Sequence, residues 1–467
     1  MKIYTPEQHD LLDWIPANDG IVLIKAGAGT GKSFMSREVT EVLQPKRALY
    51  TAFNKAIVQE GIPRFKGLNI ECRTWHSLAY QAVKPKNISD ISYKCITENL
   101  TYTKKAALIK GINDFYVSAS TDMWEFFEDY FRTPDDDVDE RMVELAVKYV
   151  EKMVDKTLDP SFNFMLKYLH LLLSEGSIVL EYDLVILDEI NDTTAVALEI
   201  FKLIKAPKKI GLGEPNQAIY DFLNLVDGFE LLADEAKIMK LTQSFRCSEI
   251  IANKITKFWH RNVDEEFEFV GTDEPVENGK YLHCTSTNGK IIKEINERLS
   301  AGKGFELLRD LKDIFAYPMA IMGASRGKKV YQKQYKFLED EYEAWDQTRQ
   351  KGVSFLQYLL EHVDDQETKT AVNLLVSLGR KGVNIFDLYK RAQDAPVDFN
   401  YTIATVFTSK GLEFETVYID DDLNGRIETI LANGGIRTHE DLVAFRCYYV
   451  ACSRAGSNLM NAKALSY

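Results

Sequence analysis

Short apolar runs alternate with amphipathic stretches through the first part of the chain. Residues 21–24 (Ile-Val-Leu-Ile) predict a buried strand, a glycine-rich stretch follows, and a helix is expected over about 32–42. Further strands are expected at 48–51, 184–187 and 209–213. Strands alternating with helices predict a parallel sheet with helices on both faces. Between about 84 and 177 the spacing changes: segments such as 142–150 have a helical period, and no strand-like run interrupts them. A second α/β pattern begins near Leu241, with strands expected at 281–284, 319–322 and 417–419. Residues 327–396, exemplified by 355–360, again read as helical. The expected layout is a first α/β domain from 1–84 and 172–240 with a helical insertion at 85–171. A second domain is expected from 241–326 and 397–467, with a short helical insertion at 327–396. No internal repeat or low-complexity linker stands out.

Composition changes this picture little. Of 467 residues, 45% are hydrophobic and 27% charged, which gives room for buried cores and excludes wholesale disorder. The net charge of -13 argues against a small basic reader of DNA sequence, so any nucleic acid would have to be held in a local groove. The acidic runs 135–137 and 339–341 read as solvated faces. Six scattered cysteines form no CxxC pair, and the seven histidines complete no zinc spacing, so a reducing compartment without structural metal is expected. The start, MKIYTPEQHD, lacks the apolar core of a signal peptide, and no run has the apolar length to span a bilayer. The expected place is the cytoplasm of a bacterial or phage-infected cell, or the nucleus of a eukaryotic one.

The chemistry begins at Ala26-Gly27-Ala28-Gly29-Thr30-Gly31-Lys32-Ser33, which follows a strand and opens a helix. In that context glycines let backbone N–H groups turn toward phosphates, and the helix N-terminus adds positive potential. Lys32 would reach the β- and γ-phosphates of ATP, and Ser33 would offer its hydroxyl to Mg²⁺. Ala26 stands where the general pattern has Gly. Far downstream, the apolar strand 184–187 ends in Asp188-Glu189. Asp188 at a strand tip could hold Mg²⁺ through water, and Glu189 could orient or deprotonate the attacking water. Loop and acid pair together describe a nucleotide hydrolase.

The series of motifs resembles the UvrD/Rep/PcrA group of superfamily 1 DNA helicases, and within it the F-box DNA helicase branch and its small phage or bacterial relatives. The resemblance covers both α/β cores and not the insertions. It implies two RecA-like parallel-sheet domains flanking an ATP cleft. Thr5-Pro6-Glu7-Gln8 is similar to the adenine-reading motif, with Gln8 as the base contact. The same residues also suit a plain helix start. Residues 51–56 resemble the first strand-contacting motif, in which Phe53 would stack on a base and Asn54 belongs to the contact set. Residues 73–79 resemble the next, in which Thr74 and His76 would touch the DNA backbone. Residues 188–192 resemble the family's acidic box, with Asn191 in the usual Gln position. In 213–222 Gln217 would sense the γ-phosphate, while Tyr220 and Phe222 would offer stacking faces; both aromatics also suit a core. Glu214 stands there in place of Asp, and Leu223-Asn224 in place of Arg-Gly.

In the second core, residues 241–246 imply Phe245 over the adenine and Arg246 on the γ-phosphate. Residues 406–414 imply Glu413 near the ribose and Thr408, Ser409 and Lys410 near the strand. Residues 448–455 resemble the last motif, with Ser453 in the usual Thr position and Arg454 as the arginine finger. The resemblance implies an ATPase stimulated by single-stranded DNA that moves 3′-to-5′ and acts on tailed or forked duplexes. It is expected to be monomeric on DNA, with a replication or recombination protein as possible partner. A short second insertion suggests a stripped motor that unwinds modestly. A protein-displacing translocase, an RNA motor and a non-catalytic binding module are the competing readings. The chain stops at Tyr467, soon after the last motif, so no fused nuclease is expected.

Overall fold

The computed structural model describes residues 3–52, 55–220, 225–348, 352–363 and 365–467. They divide into two compact units, residues 1–243 and 244–467. The first unit holds β1 (Gly20–Ala26), β2 (Ala48–Ala52), β3 (Ile70–Thr74), β4 (Leu184–Asp188), β5 (Lys208–Gly213) and β6 (Ala236–Leu241). They form one sheet in the order β3-β2-β4-β5-β1-β6, and every pairing is parallel. Successive side chains of a strand point to opposite faces, and here both faces are buried. Val22, Ile24, Tyr50 and Ile186 pack on Met35 and Val39 of the helix Lys32–Leu43. Leu23, Leu49, Val185 and Leu187 point the other way, into a core with Ile200 and Phe201.

That second face also receives the helical segment. Helices Tyr102–Val117, Met123–Tyr130, Glu140–Val154 and Phe162–Ser174 contribute Phe115, Phe127, Tyr149 and Phe164 to the same buried cluster as Leu23. Each helix starts where a capping side chain takes up an orphan N–H. Thr101 accepts from Lys104, Asp122 from Trp124 and Glu125, Asp139 from Met142, and Ser161 from Phe164.

A two-stranded ribbon pairs β7 (Gln243–Ser248) with β8 (Val270–Thr272). The second unit's own sheet contains β9 (Tyr281–Thr285), β10 (Glu306–Leu307), β11 (Tyr401–Thr405), β12 (Phe414–Ile419) and β13 (Ala455–Met460). Their order is β10-β11-β9-β12-β13, again all parallel. Two parallel sheets, each covered by helices, give the RecA-like α/β class expected.

One expected strand is wrong: residues 319–322 lie inside the helix Leu311–Ala324. Four consecutive apolar residues do not distinguish a strand from a buried helix. The buried set Ile314, Phe315, Tyr317, Pro318, Ile321 and Ala324 has helical spacing, and it shares a core with Val372, Leu375, Leu388 and Ile403. Among the described residues no helix is long and apolar enough to cross a membrane. No disulfide joins the six cysteines.

Candidate functional site

Parallel strands end at the same edge of a sheet, and loops after those ends are where such folds bind ligands. In the first unit three neighbouring tips meet there. β1 runs into the glycine-rich loop, β4 ends at Asp188, and β5 leads into Glu214 and Gln217.

The loop turns on two glycines in the left-handed region, Gly29 at φ 70° and Gly31 at φ 84°, the second capping the helix Lys32–Leu43. A side chain at either would be strained. The Thr30 hydroxyl donates to Gly27 O at 2.9 Å, and Gly27 N–H donates to Leu241 O of β6 at 3.0 Å, so the loop closes on Gly27 and Gly27 is anchored to β6. Lys32 Nζ lies 3.3 Å from Glu189 Oε1, while Ser33, one residue on, is half-buried.

Asp188 is buried at the tip of β4. Its Oδ1 accepts from Glu189 N–H at 3.0 Å, and its Oδ2 accepts from the Tyr50 hydroxyl at 2.5 Å. Burial and then the Glu189 charge push its carboxyl upward, while the Tyr50 hydrogen bond, Lys32 and Arg64 oppose them. Glu189 has φ 54°, a left-handed backbone rare for a residue with a side chain. Such strain gathers at functional sites. Two adjacent carboxylates, one buried, at the same sheet edge as a glycine-rich loop that opens a helix would suit a divalent cation bound with a nucleotide.

Asn191 Oδ1 accepts the Glu214 N–H at 2.8 Å and so laces the tip of β4 to that of β5. Gln217 Nε2 donates to Glu214 Oε2 at 2.5 Å, and both residues are buried. Tyr220 is half-buried. Phe53, Asn54 and Phe222 lie outside the described residues, as does Leu223-Asn224.

Several expected contacts have a local role in the structure. Gln8 is buried and closes a capping box with Thr5, its Oε1 accepting Thr5 N–H at 3.1 Å. Thr74 caps the helix Trp75–Val83 through Ser77 N–H. His76 sits 3.1 Å from Asn163 Oδ1 and edge-on to Phe162.

In the second unit the arginines converge. Arg246 Nη1 donates to Ser453 O at 3.1 Å and its Nε lies 3.4 Å from Glu413 Oε2; Arg454 Nη2 donates to Ser453 Oγ at 3.1 Å. Arg454 is only 1% exposed and also donates to Val450 O and Leu412 O. Phe245 and the Glu413 side chain are exposed. Thr405 caps the short helix Val406–Ser409 by accepting Thr408 N–H, and the Thr408 hydroxyl turns back to Thr405 O. Ser409 is fully buried, its hydroxyl on Val406 O, and Lys410 follows at the helix end.

Motif reading missed Tyr50, Arg64 and Glu7. Arg64 Nη1 donates to the Tyr50 hydroxyl at 3.3 Å, and Glu7 Oε2 accepts Thr242 N–H at 2.7 Å. A tyrosine within an apolar strand was the available signal for the first.

Residues 15–223, which contain the loop, Asp188-Glu189 and Gln217, match a family model described as an AAA domain. The chain is similar to F-box DNA helicase 1 of Gallus gallus, 24% identical over 524 aligned positions that cover 99% of this chain and 49% of that protein. It is also similar to F-box DNA helicase protein 1 of Schizosaccharomyces pombe, 25% identical over 518 positions covering 98% of this chain and 57% of the other. The chain thus spans about half the length of the curated relatives it matches.

Proposed function

We propose that this chain, a relative of the superfamily 1 DNA helicases, is an ATP-driven motor that moves 3′-to-5′ on single-stranded DNA and couples hydrolysis to strand separation. The observation that carries this reading is the meeting of the phosphate loop, the Asp188-Glu189 pair and Gln217 at one edge of one sheet, with Lys32 paired to Glu189. The two units would be the motor's RecA-like halves, with 85–171 and 327–396 as insertions.

Each residue then has a role. Residues 26–31 cradle the phosphates, Lys32 meets their β and γ oxygens, and Gln8 and Phe245 hold the adenine. Ser33 and Asp188 would hold Mg²⁺, which would neutralise phosphate charge when bound. Glu189 orients and deprotonates the attacking water. Gln217 senses the γ-phosphate, Arg246 and Arg454 neutralise its charge, and Glu413 lies at the ribose. Phe53, Asn54, Thr74, His76, Tyr220, Phe222, Thr408, Ser409 and Lys410 form the strand-contacting set. Aromatic stacking there would be indifferent to sequence, because every base has a π-face. ATP and its products would bind the chain with different free energies, and that difference is what drives alternation between two states.

The test is strand separation with ATP and Mg²⁺ on two short duplexes, one with a 3′ tail and one with a 5′ tail. Opening of the 3′-tailed duplex alone is expected. Opening of the 5′-tailed one alone would overturn the direction. ATP turnover on single strands with neither duplex opened would replace the helicase with a translocase.

A further inference from the structure

β2 is apolar except near its centre, where Tyr50 is fully buried. Its hydroxyl donates to Asp188 Oδ2 at 2.5 Å and accepts from Arg64 Nη1 at 3.3 Å. Glu189 N–H already holds the other oxygen of Asp188 at 3.0 Å, so the Tyr50 bond completes the orientation of that carboxylate. The ring of Tyr50 is held from the opposite side by the helix Lys55–Arg64 and the residue after it. Phe65 lies 4.9 Å away between ring centroids, and a Cβ on Gly61 would come within 2.7 Å of Tyr50 Cε1. The ring has no slack on its helix side, and a rigid phenol carries displacement from its edge to its hydroxyl.

That helix begins at Lys55, directly after the residues assigned to the DNA strand. We infer that Tyr50 is a positioning residue that ties the helix Lys55–Arg64 to Asp188, so that a shift of the helix on strand binding reorients the carboxylate and sets the rate of hydrolysis. This rests on the ATPase reading above. Asp188 would hold the cation, and a turned carboxylate misplaces it without weakening the phosphate loop's grip on the nucleotide. The signature of the link is therefore a change in turnover number and cation requirement rather than in KM for ATP.

The experiment compares the wild-type chain with Tyr50→Phe, which keeps the ring and removes the hydroxyl. ATP turnover is measured with and without an oligothymidylate, across a Mg²⁺ titration. Losing a hydrogen bond to a charged group is expected to lower the stimulated turnover number about tenfold. The basal rate should fall less, the Mg²⁺ needed for half-maximal rate should rise, and KM for ATP should hold. Gly61→Ala reaches the same link from the helix side with the hydroxyl intact, and should also lower the ratio of stimulated to basal rate. Unchanged stimulation and unchanged Mg²⁺ dependence in Tyr50→Phe overturn the inference, as does an equal fall of both rates with Mg²⁺ dependence intact. If circular dichroism shows that Tyr50→Phe misfolds, Gly61→Ala decides, and a wild-type ratio there overturns it. A wild type that turns over no ATP sinks the ATPase reading itself, and this inference with it.

Discussion

The Lys32 ammonium lies 3.3 Å from the Glu189 carboxylate, across 157 positions of sequence. Both side chains are largely buried, so the pair is more than a screened surface contact. A γ-phosphate on the loop would compete for Lys32 and leave Glu189 to face water. Glu189→Gln should therefore keep nucleotide affinity and lower turnover by about 10²–10⁴-fold. Lys32→Ala should lose both. Nucleotide binding measured beside turnover separates them, and a Glu189→Gln protein with normal turnover would remove Glu189 from the chemistry.

Asn191 and Gly213 make a second, structural prediction. A Cβ on Gly213 would stand 2.3 Å from Asn191 Oδ1 and 3.1 Å from the Phe229 ring. Gly213→Ala should cost roughly 1–3 kcal/mol by crowding. Asn191→Ala should cost about 1–3 kcal/mol by removing the side-chain acceptor of the buried Glu214 N–H. The double variant should be less destabilised than the sum, because both act on one contact. Urea denaturation reads all three, and strict additivity would mean the two residues do not touch.

Arg454 carries structure as well as its proposed chemistry. Its guanidinium serves Val450 O, Leu412 O and Ser453 Oγ together. A lysine keeps the charge but not the planar fork. Arg454→Lys is expected to lower stability by about 1–3 kcal/mol as well as turnover. Wild-type thermal stability with lost turnover would assign Arg454 to the nucleotide alone.

Lys167 predicts a pH dependence. It is buried in the helix Phe162–Ser174, against the Phe115 ring, and donates to Ser118 O and Ser120 O. Burial brings its ammonium down to about 7, and burial with the Lys167 charge brings His170 down to about 4. The folded chain then gives up the Lys167 proton near 7, whereas the unfolded chain gives it up near 10.5. Between those values the unfolded chain holds more protons, so this residue's contribution to stability rises with pH, on the order of 5 kcal/mol at full extent. Lys167→Met removes the slope. Wild type should therefore gain on the variant in urea denaturation from about pH 7 to about pH 10. A constant gap would contradict the burial of this charge.

The sequence announces what chemistry and burial both demand. Residues 21–24 and 184–187 are apolar because both faces of the sheet are covered, and the loop and acid pair follow those strands directly. The run 319–322 is equally apolar, but it belongs to a helix whose buried positions follow a different spacing. β3 gives no apolar signal because each of its five residues is only half-buried. Motif matching also cannot tell which way a side chain turns. Thr74 and Ser409 belong to motifs expected to contact a strand, yet one hydroxyl caps a helix and the other is buried on a carbonyl. Tyr50 escaped for the converse reason, because its partner Asp188 lies 138 positions away in sequence.

The most direct test of the account is ATP turnover by the wild-type chain with and without single-stranded DNA of mixed sequence, beside Lys32→Ala. Turnover should rise on adding DNA, irrespective of its sequence, and vanish in Lys32→Ala. Turnover unaffected by DNA, or retained in full by Lys32→Ala, would contradict it.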